Sequence, residues 1–200
     1  MPYEVTRRFE QALCTYTGAP YAVAVNSCTA AIMLAIEYNV PFQSANIVEI
    51  PKRTYVSVPN AIKRAGCSVR FREDYWHGMY QLHPFPVWDC ALRFTSGMYA
   101  RGHFQCVSFA AAKILGIEQG GAILHDNAVA DRWFRRMRYD GRHVDRDPRE
   151  DEFDLVGHHC FMLPSIAAQA MLRLHHLPLH NADQVRKDYP DLSKFADTWR

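Results

Sequence analysis

Lys113 stands in a run of small and apolar residues, Ala110-Ala111-Ala112-Lys113-Ile114, and has the most pointed chemistry in the chain. A buried ammonium is costly unless it is paired. Desolvation lowers a lysine's pKa until the amine becomes a nucleophile of the kind that forms Schiff bases. The alternative is a lysine whose stem is covered and whose charge reaches water. Upstream, Asp89 closes the apolar stretch Pro86-Val87-Trp88. A carboxylate directly after a buried strand sits where α/β proteins hold ligands, or it serves a turn or cap. Asn26-Ser27-Cys28-Thr29 follows one apolar run and opens another. Free N–H groups and hydroxyls at such a helix start suit a phosphate, and Ser27 or Asn26 equally suits a plain N-cap. Ser108 and the pair Gly120-Gly121 flank the lysine. No glycine-rich loop ends in Gly-Lys-Ser/Thr, so the P-loop pattern is absent.

The elements that must position these residues alternate. Val5, Phe9, Ala12, Leu13 and Tyr16 share one face, predicting a helix over 4–16 that stops at Gly18-Ala19-Pro20. The run Tyr21 to Val25 predicts a buried strand and residues 29–38 an apolar helix. Further strands are predicted at 47–50, 68–71, 86–88, 103–108 and 121–124, with helices at 56–65, 128–138 and 165–174. A polar helical segment over 182–199 ends the chain. Alternation of this kind predicts an α/β domain with a mostly parallel sheet, and the ligand crevice at its strand ends. One domain over 1–180, with a helical tail of the same domain over 181–200, is the simplest division.

Composition narrows the function classes. The 200 residues are 48% hydrophobic and 22% charged, with formal net charge +2 from 23 basic and 21 acidic residues. This balance gives no reason to expect nucleic acid or an anionic membrane as partner. The sequence has no run long enough to span a bilayer and no secretory pattern, so a cytoplasmic protein is expected. The six cysteines do not pair as CxxC, and the ten histidines lack ligand spacing, so reduced thiols and no metal site are expected. Residues 131–154 hold seven arginines and eight acidic residues. They read as a solvated mixed-charge loop, or as a partner or substrate contact.

Taken in order, these segments resemble the DegT/StrS family of pyridoxal-phosphate-dependent sugar aminotransferases. Phe9-Glu10 through Gly18 followed by AVAVNSCTAAI resembles the family's opening, and IPKRTYVSVPNAIKRAG (Ile50 to Gly66) its next conserved block. VWDCA resembles the block around the cofactor aspartate, and SFAAAKILGIEQGGAIL (Ser108 to Leu124) the lysine block. GHHCFMLPSIAAQAMLRL (Gly157 to Leu174) resembles the last of the five. The resemblance runs from about residue 5 to 190.

It implies a three-layer α/β/α, aspartate-aminotransferase-like large domain (PLP fold type I), truncated, with pyridoxal 5'-phosphate as cofactor. Lys113 would hold the cofactor as a Schiff base and shuttle the proton, and Asp89 would pair with the pyridinium nitrogen. Tyr55 would stack on the ring, while Ser27, Cys28, Thr29 and Ser108 cradle the phosphate. His159 stands where the family has an asparagine that reaches the partner subunit's phosphate, so a homodimer with shared sites is implied. The substrates implied are a nucleotide-linked keto-sugar and a glutamate or glutamine donor. The departures are Cys28 for the family's glycine, Leu92 and Ile114 for polar residues, Phe161 for an arginine, and a chain near half the usual length. The stretch between Phe71 and Asp89 is short by one strand–helix unit. Lys113 argues against the related dehydratases, which carry histidine there. A degenerate domain that scaffolds or regulates without turnover is the rival from another class.

Overall fold

The structure, a computed structural model, describes residues 3–43, 46–186 and 188–200. It begins with α1 (Glu4–Thr17), which turns at Gly18 into β1 (Tyr21–Val25) and then α2 (Cys28–Asn39). Next come β2 (Ile47–Pro51), α3 (Ser57–Arg64), β3 (Ser68–Arg72), β4 (Tyr80–Leu82) and β5 (Val87–Asp89). β6 (Phe104–Ser108), β7 (Gly121–His125), α4 (Ala128–Met137) and α5 (Pro164–His175) complete the domain.

β1 explains the layering. Its residues alternate between two buried faces, which is why its sequence is apolar throughout. Ala22 and Ala24 pack with Phe9 and Leu13 of α1 and Ala167 and Ala170 of α5. Val23 and Val25 pack on the other side with α2, α3 and α4. α2 is itself apolar all round, with Ala31, Ile32, Leu34, Ala35 and Ile36 at 1% exposure or less. That pattern belongs to a helix enclosed by sheet and neighbouring helices. Full burial of a side chain such as Phe9 or Leu13 stabilises by about 1.5–3 kcal/mol, so this core fixes where the helix starts and loop turns lie. This is the α/β/α layering that the sequence implied.

The sheet runs β1-β7-β6-β5-β4, with β2 and β3 as a parallel pair beside it. Two hydrogen bonds join the parts: Glu49 N donates to His83 O (2.7 Å) and His83 N to Glu49 O (3.1 Å). Five of the seven strands run one way, and β4 and β7 run against them. β4 lies in the stretch that sequence marked as short. A parallel return needs a crossover of a dozen or more residues. Residues 73–86 are too few for a strand plus that crossover, so β4 folds back on β5 as a hairpin instead, pairing Tyr80 with Asp89.

The tail differs from the expected helix over 182–199. Only Leu192–Trp199 is helical, as 3-10 turns with a kink at Phe195, and residues 177–191 have no regular element among the described residues. Pro178 and Pro190 restrict the backbone there, and side chains hold the segment in place, as described below. The arginine-rich stretch is a solvated loop in part: residues 145–150 and 152–154 are exposed, but Arg135, Arg136 and Arg138, nearer α4, are not. Arg138 is buried against Glu10, Arg135 pairs with Glu10 and Asp131, and Arg136 pairs with Asp154. No helix among the described residues is long and apolar enough to cross a membrane.

Candidate active site

The strand ends of β1, β2, β5 and β6 open on one cavity of about 360 Å³. Its lining includes Ser27, Cys28, Thr29, Tyr55, Asp89, Ser108 and Lys113. Seven of the eight residues singled out by sequence therefore share one crevice, although they come from four separate parts of the chain. A larger cavity of about 600 Å³, beside α4, shares none of its lining with this site.

At one end of the cavity α2 begins. Ser27 caps it, its hydroxyl oxygen accepting from Ala30 N at 3.1 Å. The plain N-cap is thus real, and it leaves the Cys28 and Thr29 amides for a ligand. Thr29 Oγ1 donates to Ser57 Oγ at 2.8 Å, which adds a hydroxyl from α3. Gly121 makes the cradle possible, since a Cβ there would come within 2.5 Å of Cys28 N and 2.6 Å of Ser27 C. Gly120 has φ +146°, open to glycine, and a Cβ would meet Met162 Cε at 2.8 Å. The glycine pair is a packing requirement of the site, beyond a turn. Burial pushes the Cys28 thiol well up, so it stays protonated.

Asp89 is 5% exposed. Its Oδ1 accepts from Ala91 N (2.9 Å) and its Oδ2 from the Tyr80 hydroxyl (2.8 Å). Burial raises its pKa, and the Ala91 amide, the Tyr80 hydroxyl and the Lys113 charge undo only part of that. Lys113 follows β6 on a turn in which Ala111 and Ala112 are exposed, so its surroundings are less apolar than the sequence suggested. It is still half-buried, and burial lowers its pKa, aided by Arg186 and opposed by Asp89 and Cys28. Among the described residues it makes no ion pair. Tyr55 is 58% exposed on the cavity wall, its ring free to cover a planar group.

His159 lies elsewhere. It is exposed, its Nδ1 is 2.9 Å from Asp140 Oδ2, and it borders a smaller cavity with Asn26 and Phe161. Gln119 lines both cavities, so the two are neighbours. Sequence reasoning missed Thr54, Ser57, Trp76, Tyr80, Arg186 and Tyr189. Thr54 and Ser57 lie within the quoted block around Tyr55. Trp76 and Tyr80 fall where the resemblance is weakest, and Arg186 and Tyr189 where no motif exists. The last two belong to a strap that walls the cavity. Asp183 accepts from Arg93 (2.6 Å), Gln184 Nε2 donates to Ala112 O (3.1 Å), and Tyr189 O accepts from Arg53 (3.2 Å).

The residues present fit a phosphorylated, cationic aromatic ring: amides and hydroxyls at one end, a buried carboxylate short of positive charge, and a nucleophilic amine. Residues 1–74 match the DegT/DnrJ/EryC1/StrS aminotransferase family. Among solved structures, the chain is similar to Helicobacter pylori PseC, an aminotransferase involved in the biosynthesis of pseudoaminic acid (17% identity, TM-score 0.73). It is similar to S. venezuelae DesV (18%, 0.69) and to NtdA from Bacillus subtilis, solved with bound cofactor PMP (19%, 0.70). Each likeness covers 86% of this chain, which spans 57%, 56% and 48% of those chains respectively. The family match is thus confined to the first 74 residues, while over 86% of its length the chain has the fold of these aminotransferase structures.

Proposed function

We propose that the cavity binds pyridoxal 5'-phosphate and that the chain serves a PLP-dependent aminotransferase acting on a keto-sugar. The observation that carries this reading is the pairing of an under-compensated Asp89 with a half-buried, pKa-lowered Lys113 on one cavity wall. When bound, the cofactor's protonated ring withdraws electrons and makes the C–H beside the transferred amine acidic. Asp89 would hold the proton on the ring nitrogen. Lys113 Nζ would attach the group, then take a proton and return it. The amides of Cys28 and Thr29, with the hydroxyls of Thr29 and Ser108, would hold the phosphate, and Tyr55 would cover the ring. A nucleotide-linked sugar with a glutamate or glutamine donor is the substrate pair we favour, by analogy with the family. We also propose a homodimer, because His159 faces outward beside the site and would donate to the phosphate bound by a second copy.

Borohydride reduction of protein incubated with pyridoxal phosphate tests the core of this reading. Peptide mapping should find the cofactor on Lys113 alone, and Lys113→Ala should retain none. Label on Lys63, or on no lysine, would refute it. The second reading, a cofactor-holding domain without turnover, draws on Leu92 and Ile114, apolar where the family resemblance has polar residues. Trapped cofactor without amino transfer in a single-turnover assay would favour it.

A further inference from the structure

The β4–β5 hairpin puts a side chain against the carboxylate of Asp89. Tyr80 and Asp89 are directly opposite in the antiparallel pair β4–β5. Opposite residues in such a pair project to the same face. The Tyr80 hydroxyl donates to Asp89 Oδ2 at 2.8 Å and lies 2.6 Å from Thr54 Oγ1. A phenol has one proton. If it goes to Asp89, the Thr54 hydroxyl must be the donor in the other contact. The result is a directed chain, Thr54 to Tyr80 to Asp89, in which each bond polarises the next. All three residues are at 5% exposure or less, and Thr54 and Asp89 both line the cavity. Trp76 fixes the phenol ring from the side at a centroid distance of 4.8 Å and is itself anchored through Nε1 to Arg53 O (2.9 Å).

We propose that Tyr80 is the positioning residue for Asp89: it holds the carboxylate in place and keeps it ionised, so that it can receive a ring N–H. The carboxylate needs such help. Among the described residues no guanidinium donates to it, and burial favours the neutral acid, which cannot hold a proton on a pyridine. Burial also pushes the Tyr80 phenol well up, so it remains a donor throughout the working pH range. The proposal deepens the cofactor reading, but one of its tests does not depend on that reading.

In the protein without cofactor, carbon-13 NMR of the aspartate carboxyls should place the Asp89 midpoint higher in Tyr80→Phe than in wild type, with backbone chemical shifts otherwise kept. With pyridoxal phosphate added, Tyr80→Phe should bind it about tenfold more weakly, as for loss of a hydrogen bond to a charged group. The pH at which the bound cofactor's absorbance changes should shift as well. A purely structural tyrosine would leave the Asp89 midpoint where it is, and that result overturns the proposal. Should Tyr80→Phe fail to fold, Thr54→Val removes the first donor of the chain, and a smaller upward shift of the same midpoint is expected. An unmoved midpoint in that variant overturns the proposal equally. If wild type takes up no cofactor at all, the cofactor reading fails, while the NMR arm still decides the role of Tyr80.

Discussion

Two carboxylates are buried to the same degree in this domain, and they are treated in opposite ways. Glu10, on α1, is 3% exposed and Asp89, on β5, is 5% exposed. Glu10 Oε1 accepts from Ala24 N (2.9 Å) and from Arg138, while Oε2 accepts from Arg135 (2.6 Å). Burial pushes its pKa up, but the Arg138 and Arg135 charges outweigh this and hold it below the usual value. Asp89 receives only neutral donors, and its pKa stays raised. Glu10 therefore belongs to a closed cluster that ties α1, β1 and α4 together. Asp89 faces a cavity with charge left uncompensated. A buried acid whose cations are all supplied by the protein is architecture. One that lacks them at a cavity wall is ready for a cation from outside.

The comparison predicts opposite phenotypes. Asp89→Asn should lose amino transfer by orders of magnitude, while its thermal midpoint stays at or above that of wild type. Full activity in a steady-state assay would reduce Asp89 to a turn residue. Glu10→Ala should unfold at a lower denaturant midpoint, costing about 3–5 kcal/mol as the buried Arg138 loses its carboxylate, while Arg135 keeps Asp131. Any remaining folded fraction should keep cofactor affinity. His159→Ala lies outside both clusters. It should weaken pyridoxal phosphate binding by about 1–3 kcal/mol, measured by titration, and leave the sedimentation of the proposed dimer unchanged. A monomer that still holds the cofactor tightly would refute the shared site.

The smallest effect is in the pH dependence of stability. Glu10 has a lowered folded pKa, so its contribution is present above its unfolded value of 4.5 and is lost as pH falls through the folded value. Asp89 has a raised folded pKa, so its ionisation costs stability above that value, and acid relieves the cost. Denaturation midpoints taken from pH 7 into the carboxylate range should therefore fall less steeply for Glu10→Gln than for wild type. For Asp89→Asn they should fall more steeply. Parallel curves would mean that the two acids are equivalent after all.

Most of the architecture could be read from sequence because it depends on burial patterns that sequence displays. The runs YAVAV and CTAAIMLAI are apolar on every side, and the structure encloses them. Asp89 and the Ser27 to Thr29 turn were found because each follows a strand and strand ends converge, Lys113 because of its apolar neighbours, and Tyr55 through the family resemblance alone. β4 was missed because three residues, Tyr80 to Leu82, carry too little pattern to stand out. Tyr80 was missed with it, since only cross-strand register brings it to Asp89. The tail has the polarity of a surface helix, yet Asp183, Gln184 and Tyr189 hold it by contacts with residues at 93, 112 and 53, distant in the chain. Arg138 looked solvated because its partner, Glu10, is far away in sequence.

The join between Glu49 and His83 has a mechanical meaning. Two peptide hydrogen bonds stitch the β2–β3 pair to the rest of the sheet, and the cavity straddles that seam. On one bank are Thr54, Tyr55 and Ser57, and on the other Thr29, Asp89 and Lys113. Besides the stitch, the hydroxyl contacts Thr29–Ser57 and Thr54–Tyr80 reach across. Although Val48, Ile50, Ala61 and Ile62 share a core with α2, a seam with so few peptide bonds should breathe before the sheet interior does. The amides of Glu49 and His83 would then exchange with deuterium well ahead of those in β6 and β7, and would slow when a ligand grips both banks.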